Sequence, residues 1–356
     1  MRLLTLVLLT LAGSLAASEP APWPLWDGQE SVADYARRVN LPPSQTLDLG
    51  NGVKLELVLI PAGRFVMGTP EPPPVDEAGF QKKILTGQAL LAASAVALLA
   101  LLCVIVIVAI RKHQRPKYSL LWLLAMTVMA GGCVLSGLHW RKSAKSLESA
   151  RMEYEAAMGR FLWAEDNEKP AHPVTLTNPF YMGKFVVTQE QYKQVIGSIP
   201  SQAKGKDNPV EAVSWHDAQA FCKKLSDQTK RTLRLPTEAE WEFACRAGTT
   251  TTYYSGDTEA DLDRVAWYNS NSKRMPHPVG QKEPNAFGLY DMHGNVWQWC
   301  MDYAINDEDF NYYPLRGGSW FSSPRVCRSA GRGINNPVIH DFLIGFRVGL
   351  GPARAP

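Results

Sequence analysis

The sequence predicts an α+β, loop-rich domain together with a two-helix transmembrane hairpin. Three observations lead to this prediction. Eleven Trp and 25 Pro residues, with many turn-forming Gly and Asn residues, indicate an aromatic-rich domain with much irregular structure. The strand and helix signals are short and mixed, and no internal repeat is visible. Two long runs contain no charged side chain, which is typical of helices that cross a membrane.

The N-terminus has the pattern of a secretory signal peptide, which we assign to residues 1–17. A basic start is followed by an apolar run at residues 3–11 and then by small residues, so we expect cleavage near Ala16 or Ala17. The alternative is a buried strand or a membrane anchor. Both a signal and an anchor would deliver the following residues to the extracytoplasmic side.

Residues 18–48 form a predicted leader segment, either packed on the domain or loosely ordered, with a short helix around residues 31–39. The domain itself begins within residues 49–83. There the alternation of apolar and polar side chains from Val53 to Ile60 predicts a strand.

The transmembrane hairpin is predicted at residues 84–140. Its spans, residues 85–110 and 120–138, carry no charge and are long enough to cross the hydrocarbon core. The link between them contains four basic residues at positions 111–117, as a cytoplasmic loop should. Apolar residues at spacings of three and four then predict a helical stalk at residues 141–160.

Two crossings return the chain to its starting side of the membrane. Residues 49–83 and residues 161–352 can therefore fold there as the first and main parts of one domain. The predicted location is the cell membrane of a bacterial envelope, with the main domain extracytoplasmic, in the periplasm or on the outer face.

Three helix starts are visible in the main part of the domain. Each has a Ser or Thr followed three residues later by a Gln, Glu or Asp, which fits the capping box; the pairs are Thr188 with Gln191, Ser214 with Asp217, and Thr237 with Glu240. The helix after Ser214 is predicted to bury one apolar face, formed by Ala218, Phe221, Cys222 and Leu225.

Several dense motifs follow one another along the chain outside the membrane spans. Each contains a large aromatic ring and most contain a glycine turn; they occupy residues 61–68, 168–192, 209–215, 234–242, 285–299, 316–320 and 344–348. In this order the motifs resemble the sulfatase-modifying factor family, which includes the formylglycine-generating enzyme. The resemblance implies a C-type-lectin-like, formylglycine-generating-enzyme fold. The hairpin then lies where relatives have a short surface loop, at a place that tolerates insertion.

The resemblance also identifies candidate catalytic residues: Cys327, Ser319 and Trp297. The formylglycine-generating enzyme holds copper(I) between two cysteines that follow its Gly-Gly-Ser motif. In this chain the first of those positions is Ser322 and the second is at or near Cys327. A hydroxyl is a hard donor that cannot replace a thiolate on Cu(I), which argues against copper. The structural alternative is that Ser319 closes a glycine-rich turn and Trp297 fills the core.

A calcium site is the second implied feature. In the family, the turn that corresponds to Asp291, Gly294, Val296 and Gln298 holds Ca²⁺ through side-chain and backbone oxygens. Gln298 replaces a family glutamate and removes one negative charge, whereas Asp291 restores one. Calcium tolerates varied oxygen cages, so the choice lies between a calcium site and a metal-free turn held by hydrogen bonds.

Four cysteines of the outer domain face a compartment that is predicted to be oxidising; they are Cys222, Cys245, Cys300 and Cys327. We therefore expect one or two disulfides. Spacing does not select among the three pairings that four cysteines permit. For Cys327 we expect Cys245 or Cys300 as partner, of which Cys245 is closer to the family's pattern.

Three functions remain open at this stage. The first is a membrane-tethered member of the family whose copper-oxidase activity is lost or altered, and whose groove binds a peptide, glycan or protein partner. The second is an active oxidase that converts cysteine to formylglycine in secreted sulfatases. The third is a structural envelope scaffold. A net charge of +3, without a dense basic stripe outside the membrane flanks, gives no support for nucleic-acid binding.

Overall fold

A computed structural model describes residues 23–70, 168–302, 305–306 and 311–351. Within these ranges, no helix is long and apolar enough to cross a membrane. The predicted signal peptide, transmembrane hairpin and stalk lie outside the described residues, so each of them stays a prediction.

The described chain contains short helices and short strands, as an α+β fold requires. The helices are α1 (Val32–Arg38), α2 (Gln189–Ile196), α3 (Trp215–Thr229), α4 (Glu238–Arg246) and α5 (Glu259–Val265). The strands are β1 (Ser44–Gly50), β2 (Val53–Ile60), β3 (Gly63–Met67), β4 (His172–Leu176), β5 (Phe180–Gly183), β6 (Leu233–Arg234), β7 (Ala266–Trp267), β8 (His293–Gly294), β9 (Trp297–Trp299), β10 (Ile305–Asn306), β11 (Asn311–Arg316), β12 (Arg332–Asn335), β13 (Ile344–Phe346) and β14 (Gly349–Leu350).

Two five-stranded sheets organise the larger of two compact units, which runs up to Met67 and resumes at Pro173. The first sheet has the order β1-β2-β5-β14-β6, and its neighbouring strands are antiparallel. The second has the order β10-β11-β9-β13, with β12 also paired to β11. In this sheet β13 runs parallel to β9. The chain returns to the first sheet at β14, immediately after β13.

Local sequence signals explain where the helices begin. Capping boxes form at Thr188, Ser214 and Thr237. In each, the capping side chain accepts the backbone N–H of the third helical residue, and the side chain of that residue accepts the backbone N–H of the capping residue. All three predicted helix starts are confirmed, as is the strand from Val53 to Ile60. The buried face of α3 is also the predicted one, Ala218, Phe221, Cys222 and Leu225.

The core is divided among three apolar clusters, and large aromatic rings fill them. Trp241, Trp299, Phe287 and Phe346 are all buried. From the leader segment, Trp26 packs with its ring centroid 5.1 Å from that of Phe287. The leader residues from Trp23 onward thus contribute side chains to the domain.

The smaller unit runs from Gly68 to His172. Its described ends meet, because the Thr69 amide donates to the Glu168 carbonyl at 3.2 Å and the Thr69 hydroxyl donates to the Glu168 carboxylate at 3.0 Å. The segment that contains the predicted hairpin therefore leaves and returns at neighbouring points, as an insertion in a surface loop requires.

Candidate functional site

The glycine-rich turn after β11 brings the motif at residues 316–320 against Cys327. Gly317 and Gly318 both have positive φ, 92° and 76°, which side-chain-bearing residues rarely adopt. A Cβ on Gly318 would lie 2.6 Å from the Cys327 sulfur, and one on Gly317 would lie 2.9 Å from the Met292 carbonyl oxygen. The two glycines are needed for both conformation and space, so this turn is fixed by packing on each side.

Ser319 closes this turn. Its amide donates to the Ser322 hydroxyl at 3.0 Å, and the two hydroxyl oxygens are 3.1 Å apart. The Ser319 hydroxyl also accepts the Phe321 amide, and the residue is fully buried. The geometry thus matches the structural alternative for Ser319.

Cys327 reaches the same amide from the other side. Burial raises the pKa of the Cys327 thiol to about 12, although the amides of Gly294 and Ser319 face the sulfur and act in the opposite direction. The structure therefore brings Ser319, Ser322 and Cys327 together. The Ser319 backbone amide is the group that both the Ser322 hydroxyl and the Cys327 thiol face.

The predicted disulfides are wrong for this structure, in which Cys222, Cys245, Cys300 and Cys327 are free, buried thiols. Cys222 lies in the first apolar cluster, Cys245 and Cys300 in the second, and Cys327 in the third. The two predicted partners of Cys327 thus belong to a different cluster, and the Cys245 sulfur lies 3.8 Å from Nε2 of His293. Disulfides were expected because the predicted compartment is oxidising, but the packing places each thiol in apolar surroundings.

Trp297 belongs to a strand rather than to that turn. On β9 it pairs with Ile344 of β13, and its half-buried ring packs on the first cluster. A Cβ on Gly333 would lie 3.3 Å from the Trp297 ring, so this glycine leaves room for it. The alternative in which Trp297 fills the core is corrected: its ring is only half-buried and packs against the first cluster.

The turn before β9 carries the candidate calcium ligands. Asp291, Gly294 and Asn295 have positive φ values of 53°, 70° and 61°. Gly294 is required at its position, because a Cβ there would lie 2.1 Å from the Trp267 carbonyl oxygen. The Asp291 carboxylate accepts the Gly280 amide at 2.8 Å and the Asn295 side-chain amide at 3.3 Å. Val296 is fully buried beneath the turn.

The Gln298 amide ties this turn to two motifs elsewhere in the chain. Its Oε1 accepts Nε1 of Trp241 at 2.8 Å and Nε of Arg347 at 3.1 Å, while its Nε2 donates to the Asp291 carbonyl at 2.8 Å. Both acceptor positions of Oε1 are therefore taken. Burial lowers the pKa of Arg347 to about 10.

These donors do not fit a calcium ion. The Gln298 oxygen already accepts two hydrogen bonds. The buried positive charge of the Arg347 guanidinium at this turn would repel a calcium ion. No group of three or more His, Cys, Asp or Glu side chains that suits a metal occurs among the described residues. The geometry matches the metal-free alternative, and calcium binding stays a prediction.

A buried ion network was not anticipated from the sequence. Arg316 lies 2.7 Å from a Glu238 oxygen and 3.1 Å from a Glu242 oxygen, and Arg332 donates to Glu238 as well. Burial would raise the pKa of Glu238, but Arg316 and Arg332 hold it below the ordinary value. Glu238 and Glu242 lie in one motif and Arg316 in another, and nothing in the local sequence shows that they pair across the core.

Comparison with known proteins places this geometry in a family. The model of the sulfatase-modifying factor enzyme 1-like domain matches residues 141–350, well over half of the chain. The chain belongs to this family. The formylglycine-generating-enzyme-type fold, with mixed helix and sheet, is thereby confirmed. A Treponema denticola structure, variable protein 1, shares the fold with a TM-score of 0.56 and 23% identity, over 87% of this chain and all of that one.

The similar proteins of the family differ in activity. "Chaperone protein LppX" of Paenibacillus barcinonensis is 33% identical, over 42% of this chain and 72% of that protein. The formylglycine-generating enzyme of Streptomyces coelicolor is 34% identical, over 41% of this chain and 54% of the enzyme. An inactive C-alpha-formylglycine-generating enzyme 2 of Bos taurus is 35% identical, over 42% and 52%. The chain thus spans about half the length of the latter two, and family membership alone does not establish catalysis.

Proposed function

We propose that this protein is a membrane-anchored, extracytoplasmic member of the sulfatase-modifying factor family without copper-oxidase activity, and that it binds a peptide, glycan or protein partner. One observation carries the proposal. At the turn where the formylglycine-generating enzyme has two cysteines, a Ser322 hydroxyl and the Cys327 thiol converge on one backbone amide.

The chemistry of this pair argues against Cu(I). Two thiolates give the soft, linear coordination that Cu(I) accepts, whereas a hydroxyl is a hard donor. Only one thiol is present in this pair, and burial raises the pKa of Cys327 to about 12, so Cu(I) would have to displace its proton. The Ser322 hydroxyl is already committed to the Ser319 amide. The donor set therefore does not fit the metal, and no oxidation step is assigned to it.

The remaining residues of the site form a rigid scaffold, as a binding protein needs. The glycine turns, the buried arginines and the Gln298 amide are engaged in hydrogen bonds that hold the loops in place. Such groups keep the fold even when the metal ligands are replaced. Similarity to the inactive Bos taurus relative agrees with this interpretation, while similarity to the Streptomyces enzyme favours the alternative of an active oxidase.

Membrane attachment is part of the proposal and depends on the spans predicted at residues 85–110 and 120–138. The hydrogen bonds between Thr69 and Glu168 support it, because they bring together the two points where the inserted segment leaves the described chain. Labelling of introduced cysteines in intact cells tests this topology: a cysteine at position 114 should be protected and one at position 257 accessible.

The decisive experiment compares the full-length protein with its S322C variant after loading with Cu(I). Copper affinity is measured by competition with a colorimetric Cu(I) chelator, and aldehyde formation is followed on a Cys-x-Pro-x-Arg peptide. We expect the unmodified protein to bind Cu(I) weakly and to form no aldehyde, and S322C to bind Cu(I) more tightly.

The matched control is S323C, which adds a thiol at the neighbouring half-buried position. If S323C gains as much copper affinity as S322C, position 322 has no special relation to Cys327. Aldehyde formation by the unmodified protein at an appreciable rate would establish the oxidase alternative instead.

A further inference from the structure

Three aromatic side chains, two of them exposed, meet beside the glycine-rich motif. Phe321 is 50% exposed and Phe342 is 45% exposed, whereas Trp320 between them is only 8% exposed. The Trp320 ring centroid lies 5.5 Å from that of Phe321 and 6.0 Å from that of Phe342. We call these three residues the aromatic ridge. The two half-exposed rings, packed on a buried indole, form an exposed apolar patch of the kind that marks interaction sites.

A basic loop is fastened to this ridge. The buried Ser272 hydroxyl donates to the Trp320 carbonyl at 2.7 Å and accepts the Arg274 amide at 3.2 Å. The Arg274 guanidinium carbon then lies 5.6 Å from the centre of the Phe321 ring. The loop thus presents a cation directly at the edge of the ridge.

Two residues of the loop combine an unfavourable backbone conformation with exposed, charged side chains. Lys273 and Arg274 are consecutive non-glycine residues with φ values of 55° and 62°, a conformation that costs free energy in each. Both side chains are exposed, and the next residue, Met275, is 52% exposed. Arg325, four residues after Phe321, is exposed as well. The loop therefore combines cations with apolar side chains at the surface.

The acidic residue next to Phe342 is Asp341, which is held by a local hydrogen bond. Its side chain is half-buried, and its carboxylate accepts the Leu343 amide at 2.8 Å. Beyond it, Val338 and Ile339 are 59% and 40% exposed. The ridge and its surroundings thus present exposed aromatic and aliphatic groups next to positive charge.

We propose that the aromatic ridge docks on the surface of an anionic lipid bilayer, with Phe321 and Phe342 at the boundary between headgroups and acyl chains and with Lys273 and Arg274 on the lipid phosphates. Aromatic rings favour this boundary, and basic side chains are attracted to anionic headgroups. The exposed cations beside the rings, Lys273, Arg274 and Arg325, favour an anionic surface over a neutral one. A chain held by the predicted hairpin would meet such a surface at high effective concentration, so a weak contact suffices. The inference does not depend on whether the site near Cys327 is catalytic.

The test uses photo-crosslinking in the full-length protein reconstituted into vesicles of phosphatidylcholine with phosphatidylglycerol. The photoreactive p-benzoylphenylalanine replaces Phe321, and lipid adducts are identified by mass spectrometry. The control position is Asp227 on α3. The Trp215 amide at the start of this helix donates to Pro337, close to the ridge in the chain, and residue 227 lies about 18 Å further along the helix.

We expect lipid adducts at position 321 in clear excess over position 227. Equal yields at the two positions, or adducts at position 321 that are formed only with protein, would overturn the proposal. Either result is independent of the copper experiment, which measures aldehyde formation and Cu(I) affinity.

A charge variant tests the electrostatic part. R274Q combined with the photoreactive residue at 321 should lower the adduct yield about fivefold, the effect of losing one cation near an anionic surface. K223Q removes an exposed cation from α3 and serves as its control. Phosphatidylcholine vesicles or high salt should reproduce the loss, because both remove the attraction. An R274Q yield equal to that of K223Q contradicts lipid recognition by this loop.

Discussion

The two fully buried arginines of the motifs, Arg316 and Arg347, show two different ways of holding a charge in the core. Arg316 lies between the carboxylates of Glu238 and Glu242. Burial would lower the pKa of Arg316, but these carboxylates outweigh it and raise the pKa above the ordinary value. Arg347 donates instead to the carbonyls of Gly183 and Tyr290 and to the Gln298 amide, and burial lowers its pKa to about 10.

The difference assigns the motifs a structural role. Arg316 belongs to the motif that leads into the Ser319 turn, and Arg347 to the motif that supports the Asp291 turn. Each arginine joins elements that are distant in sequence and fills its site with hydrogen bonds. These two motifs thus maintain the fold.

Removing the charge of Arg316 should have the largest effect on stability. In R316M the buried carboxylates of Glu238 and Glu242 lose a partner, and breaking a buried ion pair from one side typically costs about 3–5 kcal/mol. We expect a loss of this size in the free energy of unfolding, measured by urea denaturation of the detergent-solubilised protein.

The corresponding substitution of Arg347 tests whether the type of partner matters. R347M leaves carbonyl groups, rather than a closely paired carboxylate, without a donor, so we expect a smaller loss than in R316M. K223M, at an exposed ion pair on α3, is the surface control and should leave the transition unchanged within error. Equal losses in R316M and R347M would show that the type of partner does not matter.

Acid should destabilise the region around the Asp291 turn through His293. Burial lowers the pKa of His293 to about 3, whereas an unfolded histidine titrates near 6.5. Between these values the unfolded state binds a proton that the folded state does not, so stability is present above pH 6.5 and falls as the pH drops towards 3. From pH 7 to pH 5 this one histidine should cost about 2 kcal/mol.

The pH slope of stability in H293Q provides the check. Glutamine retains an acceptor for the Tyr254 amide, which His293 Nε2 accepts at 3.1 Å, but it does not titrate. The slope between pH 5 and pH 7 should therefore be shallower in H293Q and unchanged in H216Q, at an exposed histidine. Parallel slopes in H293Q and the unmodified protein would rule out His293 as the source.

Calcium should have the smallest effect, because hydrogen bonds and Arg347 already occupy the turn. A site present in the fold alone would add about 2.7 kcal/mol at a calcium concentration of 100 Kd. We expect the thermal midpoint in excess calcium to equal that in a chelator. A rise in calcium that is lost in D291N would restore the calcium site implied by the family.

The sequence determined those features whose causes lie within a few residues. Capping boxes join positions three apart, so the starts of α2, α3 and α4 were predictable. Alternation predicted β2 in the same way. The order of the motifs indicated the family, and Ser322 could be identified as the residue that replaces a thiolate because it follows the motif at residues 316–320 by two positions.

Only the tertiary structure decided the partners of residues that are far apart in the chain. Glu238 and Arg316 are 78 positions apart, and nothing in their local sequence pairs them. The same holds for the thiols, which the packing distributes among three clusters, and for Gln298, whose oxygen is filled by Trp241 and Arg347. Residue type limits the bonds that a side chain can form, but the arrangement of the surrounding elements selects among them, because burial leaves a polar atom only the partners that packing brings within reach.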